Sequence, residues 1–90
     1  MNYTTTAHFR KASKQLSDDN RRRLALVLNS LEAAEKLSDL PNCKEMQGKK
    51  NKGYYRIRFG DYRLGFKAID QNTLSLIDLG PRGDFYNRFP

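Results

Sequence analysis

Residues 54 to 79 hold three short runs in which apolar and polar side chains alternate with a period of two, and that pattern dictates a small antiparallel sheet. The runs are Tyr54 to Phe59, Tyr62 to Ile69 and Thr73 to Leu79, and the intervening Gly60-Asp61 and Asp70-Gln71-Asn72 are short enough for hairpins. In the first run Tyr55, Ile57 and Phe59 point one way and Tyr54, Arg56 and Arg58 the other. In the second, Tyr62, Leu64, Phe66 and Ala68 oppose Arg63, Gly65 and Lys67. One face can be core. The other carries arginines, so it is expected to meet water or a polyanion.

A sheet with one apolar face needs a cover, and the N-terminal half supplies it. Phe9, Ala12 and Leu16 follow helical spacing over about Ala7 to Leu16, and a preceding threonine can cap that helix. Ser17-Asp18-Asp19 provides the next N-cap and two acids suited to a positive helix end. Leu24, Val27, Leu28, Leu31 and Ala34 then form a seam over about Asp19 to Lys36. The brief link between the two implies an antiparallel helical hairpin. Asn2 to Thr5, with Tyr3 and three threonines in or beside it, favours a short strand. Leu40-Pro41-Asn42 ends the helical region, and the stretch to Gly53 is polar and turn-prone. The expected fold is therefore a two-layer α+β domain spanning residues 1–90, with the hairpin on one side of the sheet and Arg56, Arg58 and Arg63 on the other.

Ninety residues allow one domain with a small core. The lone Cys43 excludes an internal disulfide, and with only His8 to help it no zinc centre is expected. A reducing, cytoplasmic setting fits that usage. The start, Met1-Asn2-Tyr3-Thr4-Thr5-Thr6, lacks the regions of a signal peptide, and no apolar run is long enough to span a bilayer. Seventeen Lys and Arg against ten Asp and Glu give a net charge of +7. The excess gathers between Lys44 and Arg58, where Lys44, Lys49, Lys50, Lys52, Arg56 and Arg58 stand against Glu45 alone. Such a run is either a solvated basic surface or a nucleic-acid contact. A membrane role would want these charges on an amphipathic helix, whereas Lys49-Lys50-Asn51-Lys52-Gly53 reads as a turn.

No Ser/His/Asp or Cys/His arrangement and no glycine-rich phosphate loop is legible, and the acids are scattered. What remains is arginine, lysine and tyrosine around one surface, a set suited to a phosphodiester. Guanidinium forks bind phosphate in a bidentate way and stabilise the charge of a pentavalent transition state, while tyrosine stacks on a base or orients a hydroxyl. RNA brings its own nucleophile, the 2′-OH. A protein that holds the strand in line and neutralises the phosphate can cleave it with no cofactor or metal. His8, near a helix start, reads as an ordinary helix residue, and Cys43 as an inert one.

The order of short strand, helical hairpin and three-stranded meander resembles the RelE/ParE superfamily of toxin–antitoxin toxins. Tyr55-Arg56-Ile57-Arg58-Phe59-Gly60-Asp61-Tyr62-Arg63-Leu64 is similar to that family's most recognisable stretch, and Gly80-Pro81-Arg82-Gly83-Asp84-Phe85-Tyr86 to its closing signature. The resemblance covers nearly the whole chain. It implies a ribosome-dependent mRNA endoribonuclease that inhibits translation, with the alternative of a ParE-like non-nuclease toxin that shares the fold and binds DNA gyrase or another protein target. On the ribonuclease pattern, Arg56 and Arg58 match the basic positions of the first meander strand and Arg63 the phosphate-contacting arginine of the second. Arg82 matches the arginine that assists the leaving group, and Tyr86 the tyrosine that stacks on or orients the substrate. Arg58, Arg63, Arg82 and Tyr86 are thus the implied catalytic set, with Arg56, Tyr54, Lys49, Lys50 and Lys52 as substrate contacts. The implied partners are mRNA and the ribosome, and an acidic antitoxin that covers the arginine face and mediates any contact with operator DNA. Two positions depart from the pattern. Lysines stand in the best-known ribonuclease members where this chain has Arg56 and Arg58, and Pro81 replaces a histidine common before the closing arginine. Both departures leave the general base unassigned, because an arginine stays protonated and a proline cannot titrate.

Overall fold

The computed structural model describes residues 1–90. The chain runs β1 (Asn2–Thr5), α1 (Ala7–Lys14), α2 (Asp18–Ala33), β2 (Cys43–Glu45), β3 (Tyr54–Phe59), β4 (Tyr62–Ala68), β5 (Thr73–Pro81) and α3 (Arg82–Arg88), with single 3-10 turns at Leu37–Asp39 and Lys49–Asn51. Side-chain caps start the first two helices. Thr6 accepts from the Phe9 amide at 3.1 Å and Ser17 from the Asn20 amide at 3.3 Å, while Asp18 and Asp19 occupy the positive first turn of α2. The second helix stops at Ala33, short of the expected Lys36. The Met1 ammonium there gathers the carbonyls of Leu31, Glu32 and Ala34 at 3.0, 3.2 and 2.6 Å, satisfying orphan acceptors at the helix end.

The five strands form one sheet in the order β1-β5-β4-β3-β2. The meander β3-β4-β5 is antiparallel, as the alternation requires, while β1 joins the far side of β5 in parallel, pairing Asn2 with Thr73 and Thr5 with Leu76. Gly60, at φ +58°, opens the two-residue hairpin between β3 and β4, where a positive φ matches the strand twist. A bulge between Gly65 and Phe66 leaves Ile77 unpaired in the β4–β5 ladder. The strand therefore presents Leu74, Leu76 and Leu79 to one face, and Asp78 and Gly80 to the other.

The hairpin α1–α2 covers the apolar face. Thirteen buried side chains meet there, among them Phe9, Leu16, Leu24 and Leu31 from the helices and Ile57, Phe59, Leu64, Phe66, Leu74, Leu76 and Leu79 from the sheet. Each fully buried Leu or Phe contributes roughly 1.5–3 kcal/mol relative to exposure. Tyr55 stacks on Phe66 at 5.4 Å, closing the rim.

Two elements differ from expectation. The stretch before Gly53 contains the edge strand β2, which pairs Lys44 with Arg56. The closing signature, to which the periodicity assigns no element, is the helix α3, and it covers part of the arginine face. It starts beside the β3–β4 turn, where the Arg82 amide donates to the Asp61 carbonyl at 3.0 Å, and runs back across β4 and β5. Phe85 and Phe89, four residues apart on one side of α3, are buried and stack at 5.0 Å. Phe89 also meets Tyr54 edge-on at 5.8 Å. Two glycines make room. A Cβ on Gly65 would lie 2.7 Å from the Phe89 ring, and one on Gly80 would lie 2.8 Å from the Arg88 guanidinium. The second face is therefore only partly open to solvent, because a small aromatic patch docks the C-terminal helix there.

Candidate nucleic-acid interface

What α3 leaves exposed, and what it buries, shapes the arginine face. Arg58 is exposed, and its register partner across the β3–β4 ladder is Arg63. Like charges directly opposite on a sheet repel. Arg63 is nevertheless only 8% exposed, which departs from its expected solvent-facing place. Its guanidinium turns to the β3–β4 turn, where Nη1 donates to the carbonyls of Gly60 at 3.3 Å and Tyr62 at 3.0 Å. Its Nε is buried with no hydrogen-bond partner, and Arg63 makes no ion pair. Arg82 begins α3 against the same turn, and Tyr86, one helical turn on, lies on the same side of α3.

Further along the sheet, Arg56 donates to the Asn42 carbonyl at 2.8 Å. Arg56 and Tyr86 line one groove together with Lys44, Glu45, Met46 and Gln47. Tyr86 is 43% exposed and meets Phe85 edge-on at 5.2 Å. The set Arg56, Arg58, Arg63, Arg82 and Tyr86 is thus brought to one face, around α3 and the β3–β4 turn. Tyr54 shares that face with its ring occupied, by the edge of Phe89 and by Lys67 Nζ at 5.2 Å from the centroid. Lys49 and Lys50 lie in the 3-10 turn before β3, with Lys52 just after it, and Lys49 and Lys52 border a separate groove with Glu45, Met46 and Gly48.

The one buried carboxylate, Asp78, holds α3 in place. Its side chain receives the Leu79 amide at 2.7 Å, His8 Nε2 from α1 at 2.9 Å, and Arg88 Nη2 and Nε at 3.1 and 3.3 Å. Burial pushes its pKa up, but the hydrogen bonds from Arg88, Leu79 and His8 outweigh that and hold it below the ordinary carboxylate value. Arg88 is raised in turn by its hydrogen bond to Asp78. Asp78 therefore pairs with His8 and Arg88. His8 has a definite place, as a brace between α1 and β5. Cys43 faces the core beside Ile57, and burial pushes its thiol up to about 11 despite the nearby positive charge of Arg56. The sequence offered a signal for the Asp78–Arg88 pair only in retrospect: an acid at an otherwise apolar strand end, and an arginine placed to return to it.

A five-stranded sheet with a helical hairpin on one face and a cationic, tyrosine-bearing second face defines a class of small toxins of the RelE type. Similarity to known proteins agrees. The chain is 31% identical over 83 residues to Toxin RelE3 of Methanocaldococcus jannaschii, covering 91% of each protein. Its structure matches the toxin of the RelB–RelE antitoxin–toxin complex of Methanococcus jannaschii with a TM-score of 0.76, at 26% identity, over 96% of this chain and 98% of that one. It shares its fold with the archaeal RelE–RelB complex of Pyrococcus horikoshii (TM-score 0.70, 22% identity, 93% and 97% covered) and with YafQ of E. coli (0.61, 20%, 92% and 94%). No protein-family model matches the chain. The chain belongs to the RelE toxin family, the toxin half of toxin–antitoxin systems. No helix is long and apolar enough to cross a membrane.

Proposed function

We propose that this toxin is an endoribonuclease that cleaves mRNA on the ribosome, with Arg63 and Arg82 stabilising the transition-state phosphate and Tyr86 fixing the nucleotide. The observation that carries this reading is Arg63, a buried guanidinium without an acidic partner, with an orphan Nε, directly across the ladder from Arg58. A buried charge lacking a counter-ion is destabilising, and its natural complement is an anion that arrives from outside. A phosphodiester supplies one. In the reaction the substrate 2′-oxygen bonds to phosphorus as the bond to the 5′-oxygen breaks. The 2′ proton passes to water, the 5′-oxygen takes up a proton, and a 2′,3′-cyclic phosphate remains. Arginines stay protonated, so their part is charge stabilisation and alignment, and proton removal falls to solvent or the ribosome. Lys49, Lys50 and Lys52, away from the arginine cluster, hold ribosomal RNA by charge alone. A cognate antitoxin with an acidic or amphipathic segment covers this face in the resting complex. Nothing in the relatives favours the gyrase-directed alternative.

Primer extension on translated mRNA, run beside a gyrase supercoiling assay, tests the reading. Cleavage should leave a cyclic or 3′-phosphate and resist EDTA. Arg63→Ala and Arg82→Ala should each lower the single-turnover rate by ~10²–10³, the usual effect of losing one transition-state donor, with antitoxin binding retained. Full activity in the double variant, or EDTA-sensitive cleavage yielding a 5′-phosphate, refutes it.

A further inference from the structure

The groove between β2 and α3 brings two polar side chains that the ribonuclease reading does not use, Lys44 and Gln47, beside two that it does, Arg56 and Tyr86. Lys44 stands beside Arg56 as its register partner on the same face. The neighbouring acid does not neutralise the pair, because Glu45 alternates to the other face and its carboxylate accepts the Gly53 amide at 3.0 Å. Lys44 makes no ion pair, and the single Arg56 contact, to the Asn42 carbonyl, leaves most of its five donors free. At the end of the groove Gln47 is exposed. Its backbone carbonyl accepts from Asn51 at 2.7 Å, while its side-chain amide makes no hydrogen bond within the protein. Tyr86 closes the opposite wall, with a free hydroxyl and an exposed ring. The groove is open to solvent and has a volume of about 340 Å³, at the lower end of the range for small-ligand sites and suited to one nucleotide.

We propose that this groove is a base-reading subsite for one nucleotide of single-stranded RNA, with Gln47 as the specificity-determining residue and adenine as the preferred base. Lys44 and Arg56 hold the nucleotide's phosphate, the base stacks on the Tyr86 ring, and the Gln47 amide meets its edge. A carboxamide offers one donor and one acceptor side by side, the complement of adenine N7 and N6. Stacking accepts any base, so Tyr86 supplies affinity and Gln47 supplies choice. The inference rests on the ribonuclease reading for its biological use, but binding at the groove stands or falls independently.

The test is titration of the full-length protein with adenosine, guanosine, cytidine and uridine 5′-monophosphates, followed by amide and side-chain NMR shifts, and then with short oligoribonucleotides. The adenine nucleotide should shift Lys44, Gln47, Arg56 and Tyr86 and bind most tightly. Tyr86→Ala should weaken all four nucleotides about tenfold or more, the scale of one base–aromatic stack. Gln47→Ala should erase the adenine preference while leaving cytidine and uridine affinity unchanged, and Lys44→Gln should weaken all four and reduce their salt dependence. Equal affinity for the four bases in the unaltered protein, or a preference that survives Gln47→Ala, overturns the proposal. If translated mRNA is not cleaved while the Gln47-dependent preference holds, the subsite stands and the ribonuclease reading falls. If Arg63 and Arg82 are required for cleavage and the shifts map elsewhere, the reverse applies.

Discussion

Replacing Gly65 with alanine should loosen α3 without touching any group proposed to meet RNA. Gly65 does not have a positive φ, so alanine suits the backbone and would by itself stabilise the strand by roughly 0.5–1 kcal/mol. The new methyl, however, would lie 2.7 to 2.8 Å from three atoms of the Phe89 ring. That ring is buried, fixed by Phe85 at 5.0 Å and Tyr54 at 5.8 Å, and must be displaced to admit it. Overpacking of this kind costs about 1–3 kcal/mol. The net loss expected is about 0.5–2 kcal/mol, or a Tm fall of several degrees for a domain of this size at ~4–8 °C per kcal/mol. Urea unfolding of the four proteins in a double-mutant cycle isolates the clash. In the Phe89→Ala background the same Gly65→Ala change should be neutral or stabilising, giving a coupling energy of about 1–3 kcal/mol. Equal destabilisation in both backgrounds would show that the helix does not dock through this contact, and that Gly65 is not needed to admit the Phe89 ring.

Three further outcomes follow from the contacts of Asp78, Cys43 and the lysine turn. The depressed Asp78 pKa means its ion-paired form contributes stability that is complete above the ordinary carboxylate value and lost as pH falls through the folded-state value, so Asp78→Asn should be destabilised by about 1–3 kcal/mol near neutrality with the gap closing in acid; a gap constant from pH 6 to pH 2 in thermal melts contradicts the assignment. With its thiol near 11, Cys43 should be about 100-fold less ionised at pH 8 than a thiol of ordinary pKa, and alkylation of the folded protein should be correspondingly slow until unfolding in urea. Changing Lys49, Lys50 and Lys52 to glutamine should weaken ribosome binding steeply at physiological salt and flatten its salt dependence, with little loss of single-turnover cleavage at saturating ribosome. A large loss of that rate would place these lysines in the chemistry.

The helical hairpin and the meander were legible because periodicity extends over enough residues to be read and agrees with caps and turns at their ends. Thr6, Ser17 and Gly60 each stand where local chemistry demands them. Strand β2 is invisible in the sequence because three residues cannot establish an alternation, and its pairing with β3 comes from tertiary context. Helix α3 is hidden for a related reason. It has only seven residues, with Gly83 in its first turn, and it forms because Phe85, Phe89 and Arg88 find partners on the sheet. Without that helix the arginine face looks wholly open. The residue types on the face were readable from the chain, but the burial of Arg63 and the groove walled by Lys44, Gln47 and Tyr86 needed both missing elements.

The parallel pairing of β1 with β5 has a consequence for the order of assembly. Thr6 donates through its hydroxyl to the Ile77 carbonyl across 71 residues, and every other strand pair can close between neighbours in the chain. During synthesis the hairpins can therefore form early, while the first strand has no sheet neighbour until β5 has been made. Arg82 and Tyr86 lie later still, on a helix that needs the finished sheet beneath it. The arginine face is thus completed only after β5 has been made, and a chain interrupted before β5 has neither the full five-stranded sheet nor a working surface.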